Sequence, residues 1–222
     1  MGCGPGDVSR ELFNRGCVVT GIDNNEELLS AAKQQFKNIC DDHHYPNFIE
    51  QDLRNLQLEL HGYDGLWTSF VAAYFTDFKD IFANWLKFLK SDAWVCIIEI
   101  DRLLDHRPIP ERYSKKIDQF YNDAFQHKRY DFRSGSKSKS ILEEFGFEVN
   151  QFDLADRELS FNGPATSDVL IAWKNRFNRM ENLKQFFPED EFMSFQNEFI
   201  RCLSSDAHQS ICKVICCVGR KR

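Results

Sequence analysis

The sequence predicts an α/β fold, an open sheet whose strands are joined by crossover helices, and three observations carry that expectation. Glycines 2, 4 and 6 stand directly before a helix-like segment and then an apolar run, Cys17-Val18-Val19-Thr20-Gly21-Ile22, that closes at Asp23. Further apolar runs of strand length alternate with stretches of helical period. The run Trp94-Val95-Cys96-Ile97-Ile98-Glu99-Ile100-Asp101 is almost unbroken, as in a strand covered on both faces.

Taken in order, three glycines in five positions form neither helix nor strand; without a Cβ they let backbone approach a ligand and take positive φ. Asp7 is expected to cap a helix through about Asn14, which Gly16 ends. The strand Cys17 to Ile22 follows, and Asp23 at its end is placed to accept from ribose hydroxyls. Residues 25–40 carry Leu28, Leu29, Ala32 and Phe36 on one helical face, with Asn24 or Asn25 as cap. His43 and His44 precede Pro46 in a surface loop, where side chains of neighbours on an extended segment point opposite ways and disfavour a shared metal.

A glycine spacing of 2, 4 and 6 leaves Asp7 where the third glycine of a dinucleotide fingerprint belongs, so NAD is disfavoured. Instead Gly2-Cys3-Gly4-Pro5-Gly6, with the helix, strand and Gly21-Ile22-Asp23 that follow, closely resembles the first two motifs of class I S-adenosylmethionine-dependent methyltransferases. Phe48-Ile49-Glu50-Gln51-Asp52-Leu53 resembles that family's third-strand motif. The resemblance implies a three-layer α/β/α sandwich around a mostly parallel, doubly wound sheet of order 3-2-1-4-5-7-6 with an antiparallel last strand. It implies S-adenosylmethionine as cofactor, held by Gly2, Cys3, Gly4, Gly6, Asp23, Asn24, Asp52, Leu53, Thr68 and Phe70. Asp52 would take the adenine amino group and the Leu53 amide a ring nitrogen. The family's first strand ends in an acidic residue two places before the first glycine, a position just ahead of Met1, so that strand is expected to be largely missing, as if the start were placed too late.

Strands Asn47 to Gln51 and Tyr63 to Phe70 come next, the second without the polar-Pro-Pro-aromatic loop that marks amino-methyltransferases of adenine, cytosine or glutamine. Phe78, Ile81, Phe82, Trp85, Leu86 and Leu89 give an amphipathic helix. Residues 102–137 form a lid insertion in which Pro108 and Pro110 lead into a helix bearing Tyr113, Ile117, Phe120, Tyr121 and Phe125. Ser140-Ile141-Leu142-Glu143 has the pattern of a capping box, Gly146 stops that helix, and Phe147 to Leu154 form a strand. Residues 155–208 are a helical substrate-cap insertion with one stripe of Val169, Trp173, Phe177, Met180, Leu183 and Phe187 and another of Phe192, Phe195, Phe199 and Leu203. Ile211 to Val218 closes the chain as the antiparallel strand. The whole of 1–222 is expected to be one domain, with 1–101 as its cofactor-binding half.

Composition narrows the partners. A net charge of −6 argues against nucleic acid, whose binding draws on clustered Lys and Arg. No apolar stretch reaches the ~20 residues of a membrane span, and the eight cysteines lack paired spacing, so a cytoplasmic chain with reduced thiols and no metal is expected. The chain is read as a monomer or homodimer that methylates a small-molecule acceptor, the aromatic-rich insertions supplying an apolar pocket. Tyr74, Glu99, Asp101, His106, Tyr113 and Arg176 are the candidates for base or acceptor contact; each also has a plainer role, His106 as an exposed loop residue and Glu99 or Asp101 as a cap or ion-pair partner. A protein or RNA methyltransferase, or a non-enzymatic interaction module on a decayed methyltransferase fold, are the alternatives.

Overall fold

In the computed structural model, which describes residues 1–37 and 45–221, the glycine loop leads into helix α1 (Asp7–Asn14). Gly6, at φ 92°, occupies the position before the helix, and Asp7 is its first residue and makes no cap. A left-handed backbone is what only glycine adopts without cost, so Gly6 displaces Asp7 from the capping role expected of it. Strand β1 (Thr20–Asp23) is shorter than expected, because Cys17 and Val18 stay exposed, Val18 to 98%. Asn25 caps α2 (Glu26–Phe36), its side-chain oxygen accepting from the Leu28 amide at 3.0 Å. Leu29, Ala32 and Phe36 are buried against β2 (Asn47–Glu50) while Leu28 is turned outward. Cys40, His43 and His44 lie outside the described residues.

Strand β3 (Tyr63–Ser69), helix α3 (Phe78–Trp85) and strand β4 (Leu89–Asp101) form the next unit. The helix is shorter than its apolar period suggests: a 3-10 turn over Leu86–Phe88 ends it, and Leu89 already belongs to β4. After the two-residue β5 (His106–Arg107) come α4 (Glu111–Gln126), α5 (Ser134–Glu144) and β6 (Phe147–Leu154). Ser140 sits in the interior of α5 and caps nothing. The start of α5 is held instead by Asp101 of β4, whose carboxylate accepts from the Ser136 amide at 2.9 Å. The cap region contains α6 (Ser167–Arg179), α7 (Glu181–Phe186) and α8 (Glu189–Leu203). The first aromatic stripe is thus two helices, broken at Met180, where φ −84° and ψ 65° leave the helical region. Strands β7 (Gln209–Ser210) and β8 (Lys213–Lys221) end the chain.

Strands β1 and β2 pair in parallel as one sheet, and β3, β4, β8 and β6 form another in that order. β3 and β4 are parallel, and β8 is antiparallel to both of its neighbours. In the numbering of the expected fold these are strands 3-2 and 4-5-7-6. Among the described residues no strand pairs with the second edge of β1 or of β3. On one face of the larger sheet Val95, Ile97, Ile215 and Cys217 pack with Phe82 and Trp85 of α3 and Leu142 of α5. On the other, Ile98, Ile100 and Val214 pack with Phe120, Trp173 and Phe199 of the lid and cap helices. The two faces follow from the two-residue period of β4, which sends successive side chains to opposite sides.

Asp101→Ala removes the acceptor that starts α5, and a lost helix cap of this kind costs about 1 kcal/mol. Urea unfolding is expected to show a lower midpoint with an unchanged slope; an unchanged midpoint would show that solvent serves Ser136 equally well.

Candidate cofactor and acceptor site

The glycine loop is built to hold a ligand close to backbone. Gly2, Gly4 and Gly6 all have positive φ. A Cβ at Gly6 would lie 2.9 Å from Cβ of Ala32, so α1 and α2 pack against the turn, whereas a Cβ at Gly4 would meet nothing within 4 Å. The loop is tied to the end of β1 twice: the Cys3 amide donates to the Ile22 carbonyl at 2.9 Å, and the Gly4 amide donates to the Asp23 carboxylate at 2.8 Å. The other Asp23 oxygen accepts from the Asn25 amide at 3.1 Å. Each oxygen keeps a further lone pair, so Asp23 orders the loop and still has acceptor capacity on its solvent side. Asn24 beside it is exposed.

The remaining expected cofactor residues lie at the carboxyl ends of β2 and β3. Asp52 is exposed and turns back on the Arg54 amide at 2.9 Å. The Leu53 side chain is buried and its carbonyl accepts from the Trp85 indole at 2.7 Å, which fixes the backbone there. Thr68 is buried with its hydroxyl unpartnered among the described residues. Phe70 has φ 58°, a conformation strained for a bulky residue, with its ring 43% exposed and its amide bonded to the Ile98 carbonyl. Gly2, Cys3, Gly4 and Gly6 lie ahead of α1, Asp23 and Asn24 close β1, Asp52 and Leu53 follow β2, and Thr68 and Phe70 lie at the end of β3, the kind of strand end at which open α/β sheets bind ligands. A buried unpaired hydroxyl, an open cradle at Gly4 and a carboxylate beside it fit a ribose-bearing cation with a polar tail.

The candidates for acceptor chemistry divide into two groups. Glu99 and Asp101 share a face, as their spacing requires, but that face is the one under α3 and α5. Asp101 serves α5. Glu99 is fully buried; one oxygen accepts from the Ala73 amide at 3.1 Å and the other from the Ile100 amide at 3.0 Å, and burial pushes its carboxyl up to about 7. Glu99 thus anchors the 3-10 turn Ala72–Tyr74 that follows β3. From that turn Tyr74 projects, 62% exposed, edge-on to Tyr130 at 5.1 Å.

His106, Tyr113 and Arg176 instead belong to the aromatic core of the lid and cap. His106 is fully buried, not an exposed loop residue, because β5 pairs with β7 and carries it inward. Its Nδ1 lies 2.9 Å from Nε2 of His208, whose own Nδ1 donates to the Gly163 carbonyl at 2.9 Å. That fixes both tautomers: His208 accepts, His106 donates, and Nε2 of His106 has no partner among the described residues. Burial, with His208 beside it, lowers the His106 pKa to about 3, so the pair is neutral. Tyr113 stacks edge-on to Phe195 and Arg176 lies over Trp173 with an ion pair to Glu158 at 3.2 Å. Tyr130 and His208 were not singled out by the sequence, and nothing local marks them: their partners are 56 and 102 positions away, Tyr74 and His106 respectively.

A family profile described as a methyltransferase domain matches residues 1–97, the stretch that holds the glycine loop, Asp23 and Asp52. That match covers the amino-terminal 97 of 222 residues, and the chain as a whole shares the fold of solved methyltransferases. It is 38% identical over 72 residues to YqeM of Bacillus subtilis (strain 168), a protein with a methyltransferase name, covering 32% of this chain and 26% of that one. It is 26% identical over 123 residues to a malonyl-[acyl-carrier protein] O-methyltransferase of Enterobacter lignolyticus (strain SCF1), covering 50% and 46%. The chain thus spans half or less of these curated relatives. Among solved structures, its fold is similar to a methyltransferase-named protein of Bacillus halodurans C-125, with a TM-score of 0.63, 16% identity and coverage of 99% and 90%. Geranyl diphosphate C-methyltransferase of Streptomyces coelicolor A3(2), solved with S-adenosyl-L-homocysteine, gives a TM-score of 0.58, 15% identity and coverage of 100% and 72%. Among the described residues no helix is long and apolar enough to cross a membrane.

Because its folded-state pKa lies above the usual 4.5, Glu99 is held protonated more tightly in the folded chain than in the unfolded one. Its stabilisation is full below about 4.5 and is lost as pH rises through about 7. The stability difference between the wild type and Glu99→Gln, followed by urea unfolding against pH, is expected to fall over that window by on the order of 3 kcal/mol. Parallel pH curves for the two proteins would show that Glu99 does not titrate there.

Proposed function

We propose that the chain transfers a methyl group from S-adenosylmethionine to a small-molecule acceptor. The observation that carries this is the Gly4–Asp23 pairing at the head of an open glycine turn. In this proposal Gly2, Cys3, Gly4 and Gly6 pass along the amino-acid portion of the cofactor, Asp23 and Asn24 take the ribose, Asp52 and the Leu53 amide take the adenine, and Thr68 and Phe70 border the sulfonium. When bound, the cofactor supplies both the electrophilic carbon and its leaving group. The chain's own task is to orient a nucleophile in line and keep water out.

The acceptor enters, in this proposal, over Phe70 and Tyr74, under a cover made by the lid of residues 102–137 and the cap of residues 155–208. Glu99 positions Tyr74 through the Ala73 amide and is not in contact with the acceptor, since its two oxygens meet the Ala73 and Ile100 amides. No buried general base is needed if the acceptor is already anionic, and the acceptor atom is left open. Relatives with O-methyl and C-methyl products in their names support a small-molecule or carrier-linked class. The same reading takes the chain as one domain, a monomer or homodimer, with the acidic balance of −6 against a nucleic-acid acceptor.

Asp23→Ala is expected to weaken S-adenosylhomocysteine binding about ten- to a hundredfold in calorimetric titration, the loss of two hydrogen bonds to a desolvated carboxylate. Asp23→Asn keeps an oxygen for one of the two amides and presents an NH2 to the other, so it should lower the melting temperature less than Asp23→Ala and still lose affinity. Undiminished affinity in both variants would remove the proposed site.

A further inference from the structure

Two tyrosines meet where the turn after β3 touches the end of the lid. Tyr74, 62% exposed, stands edge-on to the half-buried ring of Tyr130 with the centroids 5.1 Å apart, and neither hydroxyl has a hydrogen-bond partner among the described residues. Their places are fixed from behind. The Asp131 amide donates to the Ala73 carbonyl at 2.7 Å and the Arg102 amide donates to the Phe132 carbonyl at 2.7 Å, so the two residues after Tyr130 are tied to the turn after β3 and to the end of β4. The Tyr130 ring packs on Phe132 at 4.6 Å, and Phe132 stacks at 4.6 Å on Tyr121, whose hydroxyl accepts from the Leu104 amide at 2.7 Å. Rings held in this way, with hydroxyls to spare, are a preformed pair of donors.

The groups around the pair decide what such donors suit. Burial, with Glu99 and Tyr74 near, pushes the Tyr130 phenol well above its ordinary value, so it keeps its proton and donates. The four carboxylates at this end of β4 and the lid are each engaged: Glu99 by the Ala73 and Ile100 amides, Asp101 by the Ser136 amide, Asp105 by Arg102 and Asp131 by Lys137. An acceptor that must first lose a proton finds no base among them. The cations are engaged as well, Arg133 with Asp118 at 3.0 Å and Lys137 with Asp131 at 2.5 Å, so a doubly charged phosphate meets no guanidinium or ammonium. What two neutral O–H donors do suit is a singly charged group with two oxygens, one to accept from them and one left bare.

We propose that Tyr74 and Tyr130 form the acceptor clamp and that the group they hold is a carboxylate. This deepens the proposed function and rests on it. The bare carboxylate oxygen attacks the methyl carbon of the cofactor; the C–O bond forms as the carbon–sulfur bond breaks, the electron pair of that bond goes to sulfur, and a methyl ester and S-adenosylhomocysteine result with no proton moved. Opposite charges on carboxylate and sulfonium draw the two together, and neutral phenols orient the nucleophile without quenching it as an ion pair would. Phe70, 43% exposed and four residues ahead of Tyr74, offers an apolar wall to the rest of the acceptor.

The test uses the chain saturated with S-adenosylhomocysteine and carrying ¹³C in its tyrosine rings, titrated with phenylacetate and octanoate as probes and with the matched amines phenethylamine and octylamine. The carboxylates are expected to shift the Tyr74 and Tyr130 signals saturably and the amines to leave them unmoved. Tyr74→Phe and Tyr130→Phe should each weaken carboxylate binding about tenfold, with melting temperature and S-adenosylhomocysteine affinity held, since neither hydroxyl supports the fold. Signals unmoved by either carboxylate, amine binding equal to carboxylate binding, or full carboxylate affinity in both variants would overturn the clamp and leave the cofactor seat standing. Failure of the wild type to bind S-adenosylhomocysteine would instead remove the proposed function, and this inference with it.

Discussion

The arrangement depends first on the carboxylate of Asp23. It accepts one amide from the glycine loop and one from the start of α2, and so fixes three separate pieces of chain at the tip of one strand. Positive φ at Gly4 and Gly6 makes the turn possible, but only the carboxylate makes it definite. A binding cradle has to be ordered before the ligand arrives if binding energy is not to be spent on ordering it.

The second half of the molecule is arranged by β4. Its odd-numbered side chains from Val95 to Asp101 face α3 and α5, and its even-numbered ones face the lid and cap. The same alternation that buries Val95 and Ile97 also buries Glu99 and Asp101, which are then kept only because backbone amides meet them. Carboxylates at the end of a buried strand are therefore joints here: one starts a helix, the other pins the turn beneath Tyr74. The lid and cap, by contrast, hold together through rings, with Trp173, Phe177, Phe195 and Phe199 in mutual contact and a neutral histidine pair among them. That core packs on Ile98 and Ile100 of β4 and Val214 of β8.

Much of this was legible in the sequence because it is local. The helices of α2, α3, α4 and α8 follow from apolar period, the order of strands along the chain from alternating apolar runs, and the tight turn before α1 from glycines 2, 4 and 6. The errors are local too: Gly6 took the place before α1 because its conformation is left-handed, and Ser140 lost its capping role because Asp101 meets the Ser136 amide, 35 positions from it, and α5 starts earlier. What periodicity cannot carry is a contact set by the third dimension. His106 read as an exposed loop residue because its partner His208 arrives only when β5 meets β7. Glu99 looked like a candidate base because the Ala73 amide that engages it belongs to another element.

The central claim is that the glycine loop and the end of β1 form the cofactor seat. Amide chemical shifts of the ¹⁵N-labelled chain, followed while S-adenosylhomocysteine is added, test it most directly. The account predicts saturable shifts concentrated at Gly2, Gly4, Gly6, Asn24 and Leu53. Saturable shifts confined to residues away from that rim, or none at millimolar ligand, would contradict it.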